Sequence, residues 1–567
     1  MDNRKATNRS ESTDAGILLA KARGLIDKNQ LDLAAATLQE ATGLNPNDLD
    51  ILRTLAQVLV RIDQYLPALH VFDRLIGSGQ ATAMDYTDTG DALTDVGEYA
   101  QAIETYRQSL DLKPKNPKTL HNLARALYRL GRTDEAADHL KQCTEQSDLI
   151  DPWLSLATIM PGCGQSGQQE IFDMRKEFAA RLAEQETAVK TIRRPWPGRS
   201  IKKRLRVGYL SEFFHCGNYM KPVWGLINNH NRYAFEIHLF SDSPIGSAWP
   251  GYHNHAGDRI HEVAKLDNLA LGALIQSQAI DILVDLNAYS TPRRLALFLG
   301  HPAPVTVAWF NMYATSGLAG FDYIIGDPWV VRSDEAKYYT EKILTLPVSY
   351  LTFAVSYEVP EIVDPPCIQA GELTFGSLIT QYKITPQVLD AWAEILKKTQ
   401  HTRLFLANKA LKSKWNCQYL LDQFRQRGVE AERVTLSGPR NHHGFLQYYD
   451  QMDIALDAFP YNGGTTTMEA LWQGVPVLTH DGDRWASRTS YSLLASSPVG
   501  DYVATDCQDM IDHAVALAEN PQTPIRLREL RRHMRERLSY GQVCNTRALS
   551  KHMEALYKKV CVSMAAA

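Results

Sequence analysis

A period of 34 residues recurs near the N-terminus and leaves few folds open to this part of the chain. Four alanines carry the period: Ala34, Ala68, Ala102 and Ala136. Four positions after each stands a large apolar or aromatic residue: Leu38, Phe72, Tyr106 and Leu140. Twelve positions before each stands a small residue: Ala22, Ala56, Gly90 and Ala124. Small residues let antiparallel helices approach closely and a large one fills the groove between units, so the pattern predicts stacked helical repeats.

The phase of the period matches the 34-residue tetratricopeptide pattern, as in GDALTDVGEYAQAIETYRQSLDLKPKNP. Pro46 and Pro114 share one phase, where the second helix of a unit should end. The segment WLSLATIM at 153–160 opens a degenerate fifth unit or a capping helix. We therefore predict an α-helical tetratricopeptide solenoid over residues 15–184. Its concave surface would bind a protein or peptide, although a scaffold without chemistry of its own fits the repeats equally well.

Residues 185–204 differ in composition and predict a linker. The segment KTIRRPWPGRSIKKR contains two prolines, a glycine and many basic residues. A basic run is ordinarily a solvated surface, and the chain as a whole has a net charge of −4. Neither observation favours a nucleic-acid partner.

Beyond residue 205, short apolar runs alternate with helical stretches. The first set of runs comprises residues 205–210, 235–240, 280–286, 304–310 and 322–326. The second set comprises residues 373–378, 402–407, 433–438, 453–457 and 476–479. Buried strands that alternate with helices form parallel sheets. We therefore predict two doubly wound α/β lobes, over residues 205–368 (the first lobe) and 369–567 (the second lobe), with a ligand cleft beyond the carboxyl ends of the strands.

The stretch FPYNGGTTTMEALWQGVPVL follows a predicted strand of the second lobe and indicates a ligand site. Gly463 and Gly464 lack a Cβ, so a ligand can approach the backbone there. The amides of residues 464–467 open a helix, whose N-terminus carries partial positive charge. With the hydroxyls of Thr465 and Thr466 they could hold a diphosphate. The alternative is a well-capped helix with no ligand.

Four long segments resemble the O-GlcNAc transferase family, including its SPINDLY-type bacterial members. They are RVGYLSEFF, HPAPVTVAWFNMYATSGLAGFDYIIGD, QYKITPQVLDAW, and LDAFPYNGGTTTMEALWQGVPVLT with the GDRWASR that follows it. The resemblance covers nearly the whole chain, repeats included. It implies a GT-B fold of two Rossmann-like lobes, an N-terminal catalytic lobe and a C-terminal lobe that binds a nucleotide sugar. The implied activity is metal-independent, inverting transfer, usually of GlcNAc from UDP-GlcNAc, to Ser or Thr of proteins, as in glycosyltransferase family 41.

The resemblance also assigns the residues at the leaving diphosphate. By position, Thr465 and Thr466 with Gly464 contact the diphosphate and Glu469 accepts hydrogen bonds from the ribose. Lys383, in QYKITP, neutralises the phosphates and is the predicted catalytic cation. Without a metal, a fixed cation and a helix N-terminus must stabilise the charge that develops on the leaving nucleotide. The alternative for Lys383 is a solvated surface lysine.

Further residues fall near the nucleotide by the same resemblance. Phe445 lies where the family places a ring against the uracil, although a core phenylalanine would look the same. His442, with its neighbour His443, borders the base or is a plain loop residue. A glutamine that the family places near the diphosphate is Thr380 here, with Gln381 beside it.

The catalytic base is where the chain departs most from the family pattern. The usual histidine position after the first strand holds Gly217. His215 stands two positions earlier and could reach the site only if the loop is rearranged. An unperturbed histidine has the pKa of a general base, but His215 as a structural loop residue fits equally well.

The segment near the transferred sugar also departs from the family. The family has WLGYPGTSG where this chain has WFNMYATSG, so Asn311 and Ala314 replace glycines. We expect Asn311, Thr315 and Tyr461 in the vicinity of the sugar or the acceptor. These changes leave nucleotide binding plausible and put the identity of the sugar in doubt.

Neither a metal nor a cofactor beyond the nucleotide-sugar co-substrate is predicted. Asp481-Gly482-Asp483 resembles the metal-binding D-x-D of the other large glycosyltransferase fold, but the Gly/Thr helix start makes a metal redundant. The eight cysteines form no C-x-x-C pair and no zinc-spaced cluster, which favours reduced thiols in a cytoplasmic protein. We see no signal peptide and no apolar run of membrane-spanning length, so no membrane partner is expected.

Three functions fit these observations. The first is a cytoplasmic enzyme that glycosylates Ser or Thr of a protein bound along the repeats. The second keeps the architecture with another UDP-hexose or a GDP-sugar as donor. The third is a pseudoenzyme whose repeats bind partners while its lobes sense a nucleotide. The sequence leaves the acceptor open, and a homo-oligomer remains compatible with it.

Overall fold

The structure, a computed structural model, describes residues 2–186, 204–244 and 249–566. Nearly all of the predicted linker at 185–204 lies outside these residues. The chain divides into two compact units, residues 1–148 with 410–420, and residues 149–409 with 421–567. Within the described ranges, every helix is too short or too polar to cross a membrane.

The first unit is the predicted array of helical repeats. Its helices are α1 (Asp2–Asp27), α2 (Leu31–Leu44), α3 (Leu49–Arg61), α4 (Tyr65–Gly77), α5 (Ala83–Val96), α6 (Tyr99–Leu112), α7 (Pro117–Arg129) and α8 (Thr133–Gln146). The alanines and large residues of the 34-residue period are all buried. The predicted tetratricopeptide solenoid is thereby confirmed in its helical pairs, whereas the next two helices group with the second unit.

Gly90 shows why the period demands a small residue. A Cβ at this position of α5 would lie 2.5 Å from Cε1 of Tyr106 in α6. We expect Gly90→Ala to destabilise the protein by about 1–3 kcal/mol, because overpacking here outweighs the better helix propensity of alanine. Gly24→Ala in α1, where a Cβ meets nothing within 4 Å, is the matched control and should stabilise by up to about 1 kcal/mol. Urea unfolding measures both, and equal stabilisation would contradict the packing argument.

The second unit opens with two helices and continues into the first α/β lobe. The helices are α9 (Ile150–Ile159), α10 (Gln168–Gln185), α11 (Lys221–Ile227), α12 (Asn268–Ser277) and α13 (Leu295–Leu299). The strands are β1 (Leu205–Ser211), β2 (Phe235–Ser241), β3 (Arg259–Glu262), β4 (Ile282–Asp285), β5 (Val305–Ala308), β6 (Tyr323–Gly326) and β7 (Lys342–Thr345). Over the described part of the chain they form one parallel sheet in the order β3-β2-β1-β4-β5-β6-β7.

The second lobe repeats the same winding. Its strands are β8 (Thr374–Ser377), β9 (Arg403–Ala407), β10 (Val434–Ser437), β11 (Ile454–Leu456), β12 (Val477–His480) and β13 (Val503–Ala504). Its helices are α14 (Cys367–Ala370), α15 (Pro386–Lys398), α16 (Lys414–Gln426), α17 (His442–Leu446), α18 (Thr465–Trp472), α19 (Thr489–Ala495), α20 (Cys507–Glu519), α21 (Thr523–Tyr540) and α22 (Thr546–Ala566). The strands are parallel, in the order β10-β9-β8-β11-β12-β13. The predicted pair of doubly wound lobes is confirmed.

Each sheet reverses its strand order once, and the predicted ligand cleft belongs at these points. In the first sheet the reversal lies between β1 and β4, and in the second between β8 and β11. Connections leave such a pair of strands in opposite directions, so a crevice opens beyond their carboxyl ends. In the second lobe this crevice lies between the turn that follows β8 and the loop that follows β11.

Candidate functional site

The two chain segments that follow β8 and β11 meet through a lysine. A short 3-10 turn, Gln381–Lys383, comes after β8. The Lys383 ammonium donates a hydrogen bond of 2.6 Å to the carbonyl of Asn462, in the loop after β11. The sequence placed these segments about 80 residues apart, and the reversal of strand order brings them together.

The carboxylate of Asp457 shapes the loop after β11. It accepts hydrogen bonds from the N–H groups of Ala458, at 2.9 Å, and Gly463, at 2.8 Å, and from the hydroxyl of Thr479, at 2.8 Å. Asp457 is buried, and burial raises its pKa while the Gly463 N–H acts in the opposite direction. One side chain therefore fixes both ends of the loop.

The loop leaves no room for a side chain at Gly463. A Cβ there would lie 2.5 Å from Oγ1 of Thr467 and 2.8 Å from Oγ1 of Thr466. At Gly464 the surroundings are open, and the closest atoms to a Cβ would be Cγ2 of Thr489 at 3.6 Å and Cδ1 of Leu351 at 3.8 Å. The first glycine thus lets the loop pack onto the helix, and the second leaves space above it.

Helix α18 begins under that space. Gly464 caps it without a side-chain hydrogen bond, and the first N–H groups of a helix have no partners within the helix. Thr465 and Thr466 are half-buried at the helix start. The Thr467 hydroxyl, by contrast, is engaged with Ser490 at 2.8 Å. Backbone donors and the helix dipole together make this end of α18 suited to an anion.

Lys383 supplies a full positive charge in the same loop cluster. Its ammonium lies 3.9 Å from the centroid of the Tyr461 ring. Burial lowers the pKa of Lys383 to about 8, and the negative charge of Asp457 acts in the opposite direction. A bound phosphate would favour the charged form. Lys383 is half-buried and hydrogen-bonded to the loop after β11, which favours the predicted role over the solvated surface lysine of the alternative interpretation.

Glu469, the predicted ribose ligand, is paired with a lysine of the first lobe. The Lys221 ammonium lies 3.1 Å from Oε1 of Glu469, and the two side chains are 1% and 3% exposed. His442 Nε2 lies 3.7 Å from the same oxygen. Burial lowers the pKa of Lys221, while Glu469 opposes the shift. Lys221 did not emerge from the sequence, because a lysine before an apolar helix carries no local sign of its distant partner.

The other residues predicted around the nucleotide differ in their exposure. Thr380 is exposed at the start of the 3-10 turn. Gln381 is buried, and its side-chain oxygen accepts a 3.3 Å hydrogen bond from Asn408. Phe445 is half-buried and stands edge-on to Tyr448, with ring centroids 6.4 Å apart. Their contacts with a nucleotide stay predictions.

Asn311 and Thr315 form hydrogen bonds within the first lobe. The Asn311 amide donates to the carbonyl of Leu286 at 2.6 Å and accepts a hydrogen bond from Tyr219. The Thr315 hydroxyl donates to the Glu341 carboxylate at 2.8 Å. Both side chains are buried. They support the segment predicted near the sugar, and direct contact with a sugar stays a prediction.

Tyr461 joins that segment to the second lobe. Its ring centroid lies 5.1 Å from that of Tyr313 in the first lobe, and its face is covered by the Lys383 ammonium. An aromatic ring therefore lies between the predicted sugar segment and the predicted catalytic cation.

The loop after β1 gives a physical reason for its lack of the family histidine. A Cβ at Gly217 would lie 2.7 Å from the carbonyl oxygen of Pro250, so a larger residue needs a shifted loop. His215 is exposed, and its Nδ1 lies 3.4 Å from the hydroxyl of Ser243. A catalytic role for His215 stays a prediction.

The carboxylates of the D-x-D-like triplet are paired with arginines. Asp481 bonds Arg332 and lies 3.5 Å from Nε of Arg488. Asp483 forms two hydrogen bonds of 2.8 Å with Arg484. Asp481 thus interacts with arginines of both lobes, and Asp483 interacts with an arginine of its own lobe.

Comparison with family models assigns most of the chain. The model of Glycosyl transferase family 41 matches residues 173–360 and 370–553. A TPR repeat model matches residues 90–142.

Related proteins of plants and a solved bacterial structure give the same picture. A tomato (Solanum lycopersicum) protein described as "Probable UDP-N-acetylglucosamine--peptide N-acetylglucosaminyltransferase SPINDLY" is 29% identical over 376 residues, which are 64% of this chain and 40% of that protein. The rice (Oryza sativa subsp. japonica) protein of the same description is 33% identical over 301 residues, or 53% and 32% of the two chains. The chain thus spans less than half the length of these relatives. A mutant of Thermobaculum terrenum O-GlcNAc transferase is 25% identical, with a TM-score of 0.76 over 98% of both chains.

Proposed function

The chain belongs to glycosyl transferase family 41, and we propose that it transfers a sugar from a nucleoside diphosphate to Ser or Thr hydroxyls of a protein. UDP-GlcNAc is the proposed donor, in keeping with the description of the plant relatives. The proposed transfer inverts the configuration of the sugar, and the acceptor protein binds along the tetratricopeptide repeats.

The observation that carries this proposal is the meeting of Lys383 with the loop before α18. A departing nucleoside diphosphate gains negative charge, and charges placed beforehand stabilise it at no cost of reorganisation. Lys383 is already bonded to Asn462 in that loop, and Gly464 leaves the helix N-terminus open. These groups suit a leaving diphosphate, which is the chemistry of a nucleotide-sugar transferase.

A transfer assay in cell lysate tests the proposal. The purified protein is incubated with lysate and with UDP-GlcNAc, other UDP-hexoses or GDP-sugars in turn, and modified proteins are analysed by intact mass. We expect a mass increase of one N-acetylhexosamine that requires UDP-GlcNAc. An increase with another donor would replace the proposed sugar. Nucleotide binding without any transfer would favour a nucleotide-sensing scaffold instead.

The lowered pKa of Lys383 makes nucleotide affinity depend on pH. In the free protein Lys383 loses its proton as the pH rises through about 8, whereas a bound diphosphate favours the ammonium. UDP affinity should therefore be greatest below pH 8 and fall by up to about tenfold per pH unit above it. Calorimetric titrations measure the UDP affinity at several pH values between about 7 and about 9.5, a range that brackets the pKa of Lys383.

Uridine, which lacks phosphate, is the matched ligand for this experiment. Both ligands carry the same uracil ring, whose N3–H is lost at the upper end of this range, so affinity should fall more steeply for UDP than for uridine, and this difference should vanish in Lys383→Met. A difference of equal size in Lys383→Met would assign the titration to another group.

A further inference from the structure

Lys221 and Glu469 form an ion pair between the lobes that is nearly closed to solvent. Lys221 is the first residue of α11 in the first lobe, and Glu469 lies in α18 of the second. Their side chains are 1% and 3% exposed and their charged atoms are 3.1 Å apart. Burial of two charges is costly, and such a pair often adds little stability over apolar residues of the same size. A pair of this kind therefore invites a functional explanation.

The surroundings of the pair point to a ligand. Glu469 stands one helical turn after Thr465, so the carboxylate and the Thr465 hydroxyl lie on one face of α18. Burial and the nearby Glu469 carboxylate raise the pKa of Tyr357, and its ring lies 5.5 Å from the Lys221 ammonium. Within the described structure, Nε2 of His442 is buried without a hydrogen-bond partner, although it lies 3.7 Å from Glu469. An unsatisfied nitrogen beside a carboxylate suits the hydroxyls of a sugar ring.

On the basis of the proposed function, we propose that Lys221 is a positioning residue for the ribose of the donor. Its ammonium fixes the position of the Glu469 carboxylate from the opposite lobe. The carboxylate then accepts hydrogen bonds from the ribose hydroxyls while the diphosphate lies at the start of α18. Recognition of the ribose thus depends on a residue that does not touch the nucleotide.

The discriminating measurement is the preference for a ribonucleotide over its deoxy form. Hydrogen bonds to a charged acceptor correspond to roughly a tenfold to hundredfold change in affinity. We expect the wild type to bind UDP at least about tenfold more tightly than 2′-deoxy-UDP. In Lys221→Met the UDP affinity should fall by about tenfold, with little change for 2′-deoxy-UDP, so that the preference is lost. If GDP binds the wild type more tightly than UDP, GDP and 2′-deoxy-GDP are the pair to use.

Two further variants separate positioning from a general structural role. Lys221→Arg retains the charge and should restore most of the preference. Lys398→Met, in an exposed pair with Asp512, is the matched control and should bind both nucleotides as the wild type does. Should Lys221→Met fail to fold, Lys221→Gln retains a hydrogen-bond donor for the carboxylate and undergoes the same comparison.

The outcomes distinguish this inference from the proposed function. If the wild type prefers UDP and Lys221→Met keeps that preference, or loses affinity equally for both nucleotides, the positioning role is wrong and the function stands. If the wild type binds none of the four nucleotides, the function and the inference fail together.

Discussion

Lys383→Met is expected to lower kcat for transfer by about 10²–10³-fold, the loss that follows removal of one preorganised group at a developing charge. The Lys383 ammonium is fixed by Asn462 and lies over the Tyr461 ring. Methionine keeps the length and apolar stem of the side chain but removes the charge. Because the leaving diphosphate gains charge as the bond to the sugar breaks, the variant should lose more in kcat than in donor affinity.

The test for Lys383 combines steady-state kinetics with a donor titration. Lys398→Met, whose wild-type side chain is exposed, should retain the activity of the wild type. Thermal unfolding of Lys383→Met should show that the protein is folded. If Lys383→Met transfers sugar at the wild-type rate, Lys383 is not the cation that stabilises the leaving group.

Arg488→Met is expected to destabilise the second unit by about 3–5 kcal/mol, the usual effect of leaving one partner of a buried ion pair uncompensated. Arg488 follows the second lobe's β12 and lies 2.8 Å from the carboxylate of Glu335 in the first lobe, with side chains 2% and 7% exposed. It also donates to the carbonyl of Gly482 at 2.7 Å. Burial acts to raise the pKa of Glu335, but the hydrogen bonds from Arg488 and the Arg332 backbone, together with the charge of Arg488, outweigh it and hold that pKa below its usual range.

Denaturant unfolding of matched variants isolates this effect. Arg532→Met removes an exposed pair with Asp364 and should cost no more than about 1 kcal/mol. The double variant Arg488→Met with Glu335→Gln removes both charges and should recover part of the loss, because no carboxylate is left unpaired. A loss in Arg488→Met no larger than in Arg532→Met would show that the pair does not hold the lobes.

The interior of the fold could be predicted from the sequence because its signals are local. The 34-residue period directly reports which residues face each other in a helical pair, and all of those residues are buried. Apolar runs likewise located the central strands. Strands β3, β7 and β13 were missed because they lie at the edges of their sheets, where side chains such as Arg259 and Lys342 are exposed and form no apolar run.

The candidate site likewise contains residues that the sequence predicts and residues that it does not. The segment from Gly463 to Thr466 could be found because the glycines, hydroxyls and helix start are contiguous. Lys221 and Asp457 could not, because their roles arise from contacts that only the folded chain creates, Lys221 across the lobes and Asp457 within its own loop. The spacing of residues along the chain therefore does not indicate the role of Lys221 or of Asp457.

The three hydrogen bonds of Asp457 bear on how quickly the protein could bind the proposed donor. All three are hydrogen bonds within the protein, and they fix the turn around Gly463. A loop that is already ordered needs no conformational change before the donor binds. The association rate constant should therefore be governed by diffusion and charge attraction. Variants of this loop that differ in their affinity for the donor should then differ chiefly in how long the donor stays bound.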